Sequence, residues 1–258
     1  MLLQRFTPQQ VKVRWNPVAP TWPEMLQADI HEFWQTLPKD HIFNGSLARL
    51  DEWRLEGRDL ILQLRPSDYM TLLHSNAHAD EIVQEWGTPF LANVLGISVV
   101  FVSSDAELML MKRSEAVGEY PGCLDVFGGH VDVPEQGEIP DVFAAMAQEI
   151  QEEMGVPPSE YEMELIGLIQ QARIQKPELV FFARSRWSTS AVRSAAAGAV
   201  DRNEFVKVRT LPASDGHLER CLTAHAHEMS PSAYGSLVCA FKYGLNRLMN
   251  IEESNWKR

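Results

Sequence analysis

The chain has 258 residues, 45% of them hydrophobic and 22% charged, enough apolar side chain to bury one large core or two small ones. Its 23 basic and 35 acidic residues leave a formal charge of −12, and no run of lysine and arginine interrupts that surplus. Such a chain repels a nucleic-acid backbone, so nonspecific nucleic-acid binding is excluded.

Taken in order, Val11–Trp15 alternates as a short strand and Pro20–Trp34 has helical spacing. Ala48–Leu55 and Leu60–Leu64 read as two strands around the turn Gly57-Arg58-Asp59, and Ser67–Leu73 starts a short helix. The apolar pattern changes near residue 90, after the helix-like segment 77–87. That change divides an N-terminal α/β extension, residues 1–90, from a larger domain over 91–258. In the second part Ile97–Val102, Leu108–Lys112 and Leu124–Phe127 are strands, the last running into Gly128-Gly129-His130. Asp141–Met154 is a helix with an acidic residue at its start, and Gly155 followed by Pro157-Pro158 ends it. Met163–Ile174, Leu179–Trp187 and Phe205–Leu211 read as strands, Thr189–Ala197 and Pro231–Met249 as helices. Strands interleaved with helices predict an α/β layered fold.

Two further features concern location. The three cysteines, Cys123, Cys221 and Cys239, are an odd count, far apart and in no CxxC or CxxH spacing. That argues against a disulfide framework and for a reducing, cytoplasmic setting. The uncharged stretch Trp86–Ser104 contains Gly87, Pro89, Asn93 and Gly96 and ends in β-branched residues, so it reads as a loop feeding a buried strand rather than a membrane span. The N-terminal MLLQRFTPQQ lacks the apolar stretch of a secretory signal.

The helix over 141–154 carries the most chemistry. At about 100° per residue Phe143, Met146, Ile150 and Met154 form one stripe, with Glu149, Glu152 and Glu153 gathered beside it. Three like charges so placed repel, and a hard divalent cation, Mg²⁺ or Mn²⁺, relieves that conflict. A solvated acidic face is the plain alternative. Gly128-Gly129 upstream allows close backbone approach to a ligand and favours a metal and phosphate site.

Glu149-Ile150-Gln151-Glu152-Glu153-Met154-Gly155-Val156 resembles the second half of the Nudix box, with Gly129 as its opening glycine. The Gly129 to Glu149 distance is 149 − 129 = 20 residues against 15 in the family, so the loop is longer and either Glu135 or Glu138 is the spaced glutamate. Gln148 stands where the box has arginine. Lys112-Arg113-Ser114, Gly118-Glu119-Tyr120-Pro121-Gly122 and Asp125-Val126-Phe127-Gly128-Gly129-His130 narrow the likeness to the UDP-glucose pyrophosphatase-like branch of Nudix proteins.

The resemblance implies a Nudix α/β/α sandwich with a mixed β-sheet, preceded by the small α/β extension as a specificity module. It implies Mg²⁺ held by Glu149, Glu152, Glu153 and the Gly129 carbonyl, the same glutamates serving catalysis. The small-molecule partner it implies is a nucleotide-sugar, UDP-glucose being cut to UMP and glucose 1-phosphate. Arg113 and Asp125 would face that substrate, with Tyr69, Ser75 and Asn76 toward base and ribose, Phe43 as a stacking surface and His130 near a phosphate. Another Nudix substrate such as ADP-ribose, or a nucleotide-binding module with a weakened box, are the alternatives. His225-Ala226-His227 is read as structural, and no GxSxG elbow, P-loop or GxGxxG after a strand is present.

Overall fold

A computed structural model describes residues 1–38, 42–134 and 138–249. The first part of the chain forms β1 (Leu2–Phe6), β2 (Val11–Trp15), α1 (Glu24–Thr36), β3 (Ser46–Glu56), β4 (Asp59–Asp68), α2 (Tyr69–Ala77) and α3 (Ala79–Glu85). It continues as β5 (Gly96–Val102), β6 (Glu107–Arg113), β7 (Leu124–Asp125), β8 (Phe127–His130), α4 (Val142–Met154), β9 (Tyr161–Gln170) and β10 (Pro177–Ser185). The last elements are α5 (Thr189–Ala196), β11 (Phe205–Pro212), α6 (Asp215–His225), α7 (Pro231–Tyr243) and α8 (Leu245–Met249).

The main sheet runs β1-β9-β10-β5-β6-β11, with β7 paired to β6 and β8 to β5. β10 and β5 are parallel and their neighbours antiparallel, so the sheet is mixed. Side chains alternate between its two faces. Ile97, Val99, Phe101, Met109, Met111, Leu179 and Phe181 pack with Met146, Ile150 and Met154 of α4 and Val192 of α5. Their sequence neighbours Val100, Val102, Leu108, Leu110, Val180 and Phe182 pack with Leu218 of α6, Leu237 of α7 and Leu248 of α8. β5 and β10 are therefore apolar on both sides, and the α/β/α sandwich follows from that pattern.

A second sheet, β2-β4-β3, lies beside the first. Its Leu50, Leu60, Leu62 and Leu64 enter the same apolar cluster as the α4 face. The backbone sews the two together: Ala48 N donates to Val131 O at 2.7 Å, Leu95 N to Ala48 O at 2.9 Å and Leu50 N to Asn93 O at 2.9 Å. The start of β3 is thus pinned next to the loop that follows β8.

Several elements depart from the sequence reading. β1 and α6 are not marked by a strong period, and β1 takes its conformation from pairing with β9, Leu2 opposite Leu168. The helix expected over 231–249 is broken at Gly244, whose φ is 88°. The helix expected from Pro20 starts four residues later, at Glu24. Among the described residues no helix is long and apolar enough to cross a membrane.

Candidate active site

Helix α4 is set by its ends. The Asp141 carboxylate accepts from Phe143 N at 2.9 Å and Ala144 N at 3.1 Å, and Gly155 closes the other end at φ 67°. With Met146, Ile150 and Met154 buried, the rotation of the helix is fixed and Glu149 and Glu153 are turned inward toward β8.

β8 meets them through its glycines. Gly128 has φ 150°, and a Cβ there would lie 2.1 Å from Ile97 O, so only glycine fits between the strands. Its amide donates to Glu153 Oε2 at 2.8 Å. At Gly129 a Cβ would stand in the Glu149 carboxylate, 2.2 Å from Oε1. The pair of glycines lets two carboxylates lie against the strand backbone.

Glu153 is 1% exposed, and its Oε1 has no hydrogen-bond partner among the described residues. Burial, then the nearby Glu149, pushes its carboxyl well above the usual carboxylate range. Glu149 is pushed up to about 8 by burial and by Glu152, Glu204, Asp132 and Asp201. Glu152 lies further out and accepts from Gln148 Nε2 at 3.0 Å. Gln148, at the box arginine position, therefore braces a box glutamate by a neutral hydrogen bond.

Three acidic side chains that no local pattern marked add to this patch. Glu204, just before β11, feels Arg113, Asp201 and Glu152; Asp132 and Asp201 each feel Glu152, and burial raises all three. Among the described residues no group of three His, Cys, Asp or Glu side chains is drawn together tightly enough to ligate a metal ion as placed. The donor set nevertheless suits a hard cation: oxygen ligands only, in mutual repulsion, one buried oxygen without a partner. Glu138 is described, whereas Glu135 lies outside the described residues.

On the far side of β8 the polar groups are paired. Glu119 receives Lys176 Nζ at 3.2 Å and Asn76 Nδ2 at 2.9 Å, and His130 Nε2 lies 3.3 Å from its other oxygen. Burial alone would raise Glu119, but Lys176 and His130 hold it well below the usual carboxylate range. Burial and Lys176 lower His130, against the opposing pull of Glu119. Arg113 donates from Nε to Glu119 O at 3.0 Å and from Nη1 to Asp125 Oδ2 at 3.3 Å. Asp125 also accepts from Ser230 Oγ at 2.6 Å and Val126 N at 2.9 Å, so it is engaged inside the protein.

The other expected substrate residues divide. The Tyr69 hydroxyl lies against Gly118, and burial with Glu119 nearby pushes it up to about 12. Asn76 is joined to the site through Glu119, whereas Ser75 is buried with its Oγ accepting from Ala92 N. Phe43 is 81% exposed. Lys176 and Glu119 were not singled out in the sequence, because their pairing spans 57 residues.

No protein-family model matches the chain. Curated relatives do. Bovine uridine diphosphate glucose pyrophosphatase NUDT22 is 29% identical over 159 residues, 53% of this chain and 53% of the bovine protein. Nudix hydrolase 9 of Arabidopsis thaliana is 22% identical over 292 residues, 96% of this chain and 91% of the plant protein. The chain spans about half the length, or less, of the three mammalian NUDT22 relatives it matches. Among solved structures, a mutT/nudix family protein from Listeria innocua aligns with a TM-score of 0.44 at 16% identity, over 62% of this chain and 98% of that one. The box glutamates on α4, the glycines of β8 and these curated relatives together make the chain similar to Nudix hydrolases, the mammalian NUDT22 proteins among them.

Proposed function

We propose that the protein is a Nudix pyrophosphohydrolase that cleaves the diphosphate of a nucleoside diphosphate sugar, UDP-glucose being the substrate its relatives suggest. The carrying observation is the patch formed by Glu149, Glu153 and Glu204, carboxylates that burial and neighbouring acids raise and that, among the described residues, have no basic side chain hydrogen-bonded to them. Glu149, Glu152 and Glu153, with the Gly129 carbonyl, would hold a divalent cation, Mg²⁺ or Mn²⁺. When bound, that cation neutralises the diphosphate and makes water available for attack.

The chain's own residues supply the rest. Gly128 N fixes one oxygen of Glu153 and leaves the other directed to a ligand. Gln148 orients Glu152. Arg113, whose Nε and Nη1 donate to the Glu119 carbonyl and Asp125, would offer its remaining guanidinium donors to a phosphate oxygen. Tyr69 and Asn76 carry the N-terminal segment to the same place, and this segment is the specificity module for the base. Water adds to one phosphorus, the bridging P–O bond breaks, and a nucleoside monophosphate and a sugar 1-phosphate leave. The three free thiols suit a cytoplasmic setting.

The test is a product assay with Mg²⁺ over UDP-glucose, ADP-ribose and other nucleotide-sugars. Equimolar UMP and glucose 1-phosphate, formed fastest from UDP-glucose and abolished by EDTA, is the expected result. Faster turnover of ADP-ribose would reassign the substrate, and no product from any of them would overturn the reading.

A further inference from the structure

Beside the β2-β4-β3 sheet lies a cavity, none of whose lining residues belongs to the carboxylate patch. Its volume is about 510 Å³, and it is walled by the loop before α1, by β3 and β4, by the segment entering β5 and by Gln175. Small-molecule sites commonly run from roughly 300 to 1,000 Å³. Its charged groups are Arg49, Asp51 and Arg65, and its rings are Trp22 and Phe90, with centroids 6.1 Å apart.

Arg49 is 4% exposed, a rare burial for a guanidinium. Its Nη2 donates to Pro89 O at 3.3 Å, and its Nε stands 2.9 Å from Asp51 Oδ1. The Trp22 ring covers one face of the group, 5.1 Å from centroid to Cζ. Nη1 is buried with no acceptor among the described residues, and Nε meets Asp51 without hydrogen-bond alignment. Arg65 lines the same cavity, pinned by Val18 O at 2.8 Å and Ala19 O at 3.2 Å, and lies 3.6 Å from the other oxygen of Asp51.

Two guanidiniums against one carboxylate leave one positive charge in a chain whose sum is −12. Burial, and after it Arg65, weakens the hold of Arg49 on its proton, while Asp51 opposes that only in part. A buried cation with an unmet donor is costly unless something accepts from it. Arg113 shows the contrast, since its Nε and Nη1 each find an acceptor inside the protein, the Glu119 carbonyl and Asp125. The Arg49 fork is left with an acceptor to find, and it lines a cavity of ligand size.

We propose that this cavity binds the oxyanion of a small organic ligand, a phosphate monoester or a carboxylate, against Arg49 and Arg65, with Trp22 and Phe90 flanking the rest of it. The inference does not rest on the pyrophosphatase reading. It is tested by calorimetric titration of the full chain in EDTA, where the carboxylate patch repels anions, with UMP, malonate and the phosphate-free uridine as probes. UMP or malonate should bind, and uridine should not; the tighter of the two identifies the source of the oxyanion. Arg49→Met and Arg65→Gln should each weaken binding at least tenfold, while Glu153→Gln leaves it unchanged. Arg65→Gln, at a partly exposed position, decides the matter if Arg49→Met does not fold. No oxyanion binding to the metal-free protein, binding that both arginine variants retain, or binding that Glu153→Gln removes would each overturn the proposal. Hydrolysis of nucleotide-sugars by the same preparation keeps such a failure separate from the fate of the pyrophosphatase reading.

Discussion

Strand β8 separates two buried carboxylate sites that fold chemistry treats in opposite ways. At Gly128 and Gly129, Glu153 and Glu149 receive one backbone amide between them and feel chiefly burial and other acids, with Arg113 a lesser influence on Glu153, and both are held above the usual carboxylate range. At His130, Glu119 meets Lys176, Asn76 and the imidazole, and it is held below that range. A buried carboxylate with an internal cation is part of the scaffold; one surrounded by its own kind is waiting for a cation from outside. The distinction separates two sets of acids that the sequence shows only as an acidic surplus.

The sharpest way to break that distinction is to neutralise one acid on each side. Glu153→Gln should lower Mg²⁺-dependent turnover by at least about a hundredfold, the scale on which lost electrostatic stabilisation is felt. The same variant should melt at a higher temperature than the parent without metal at neutral pH, because a carboxyl held above its unfolded range costs stability there and the amide does not. An unchanged turnover number in steady-state assays would remove Glu153 from the site.

Gly129→Ala comes next. The backbone there has no positive φ, yet a Cβ would lie 2.2 Å from Glu149 Oε1. The carboxylate has to move, and displacement of a reacting group by an ångström costs on the order of a hundredfold in rate. Activity should fall by about that much while circular dichroism and melting stay near the parent's. A fall in stability equal to the fall in rate would instead make Gly129 a packing residue.

On the paired side, Glu119→Gln should act on stability. It takes from Lys176, 6% exposed at its side chain, its ion-pair partner and leaves only the unpaired influence of Glu178 and Asp125, and breaking such a pair costs about 3 kcal/mol. Denaturant melts would measure it. Glu119 also has a pH signature. Its folded carboxyl is held below the unfolded value of 4.5, so its contribution is full above 4.5 and is lost as pH falls below it. Glu119→Gln should flatten that acid limb of the stability profile, the smallest of these effects. An unaltered limb would show that Lys176 is compensated elsewhere.

How much of this was legible beforehand varies from residue to residue. Helix α4 could be read in detail because its signals are local: an acidic cap, an apolar stripe and a glycine stop within a few turns. β5 and β10 were equally plain as apolar runs, though their parallel pairing was not, since register is decided by partners distant in sequence. β1 has no period of its own and is a strand because β9 offers it an edge. In the site, Glu149, Glu152 and Glu153 share one helix and declared themselves by spacing. Glu204, Asp132 and Lys176 come from separate loops and strands, so only the folded sheet brings them near. Phe43, expected as a stacking surface for a ligand, stands exposed beside a loop tied to α2 through Asn44 and Gly45.

The measurement that bears most directly on the central contrast is Mn²⁺ binding followed by electron paramagnetic resonance in the parent, Glu153→Gln and Glu119→Gln. The parent and Glu119→Gln should bind the ion with matching affinity, and Glu153→Gln should bind it at least tenfold more weakly. Equal binding by all three, or loss of binding in Glu119→Gln alone, would contradict the assignment of the α4 carboxylates as the metal site.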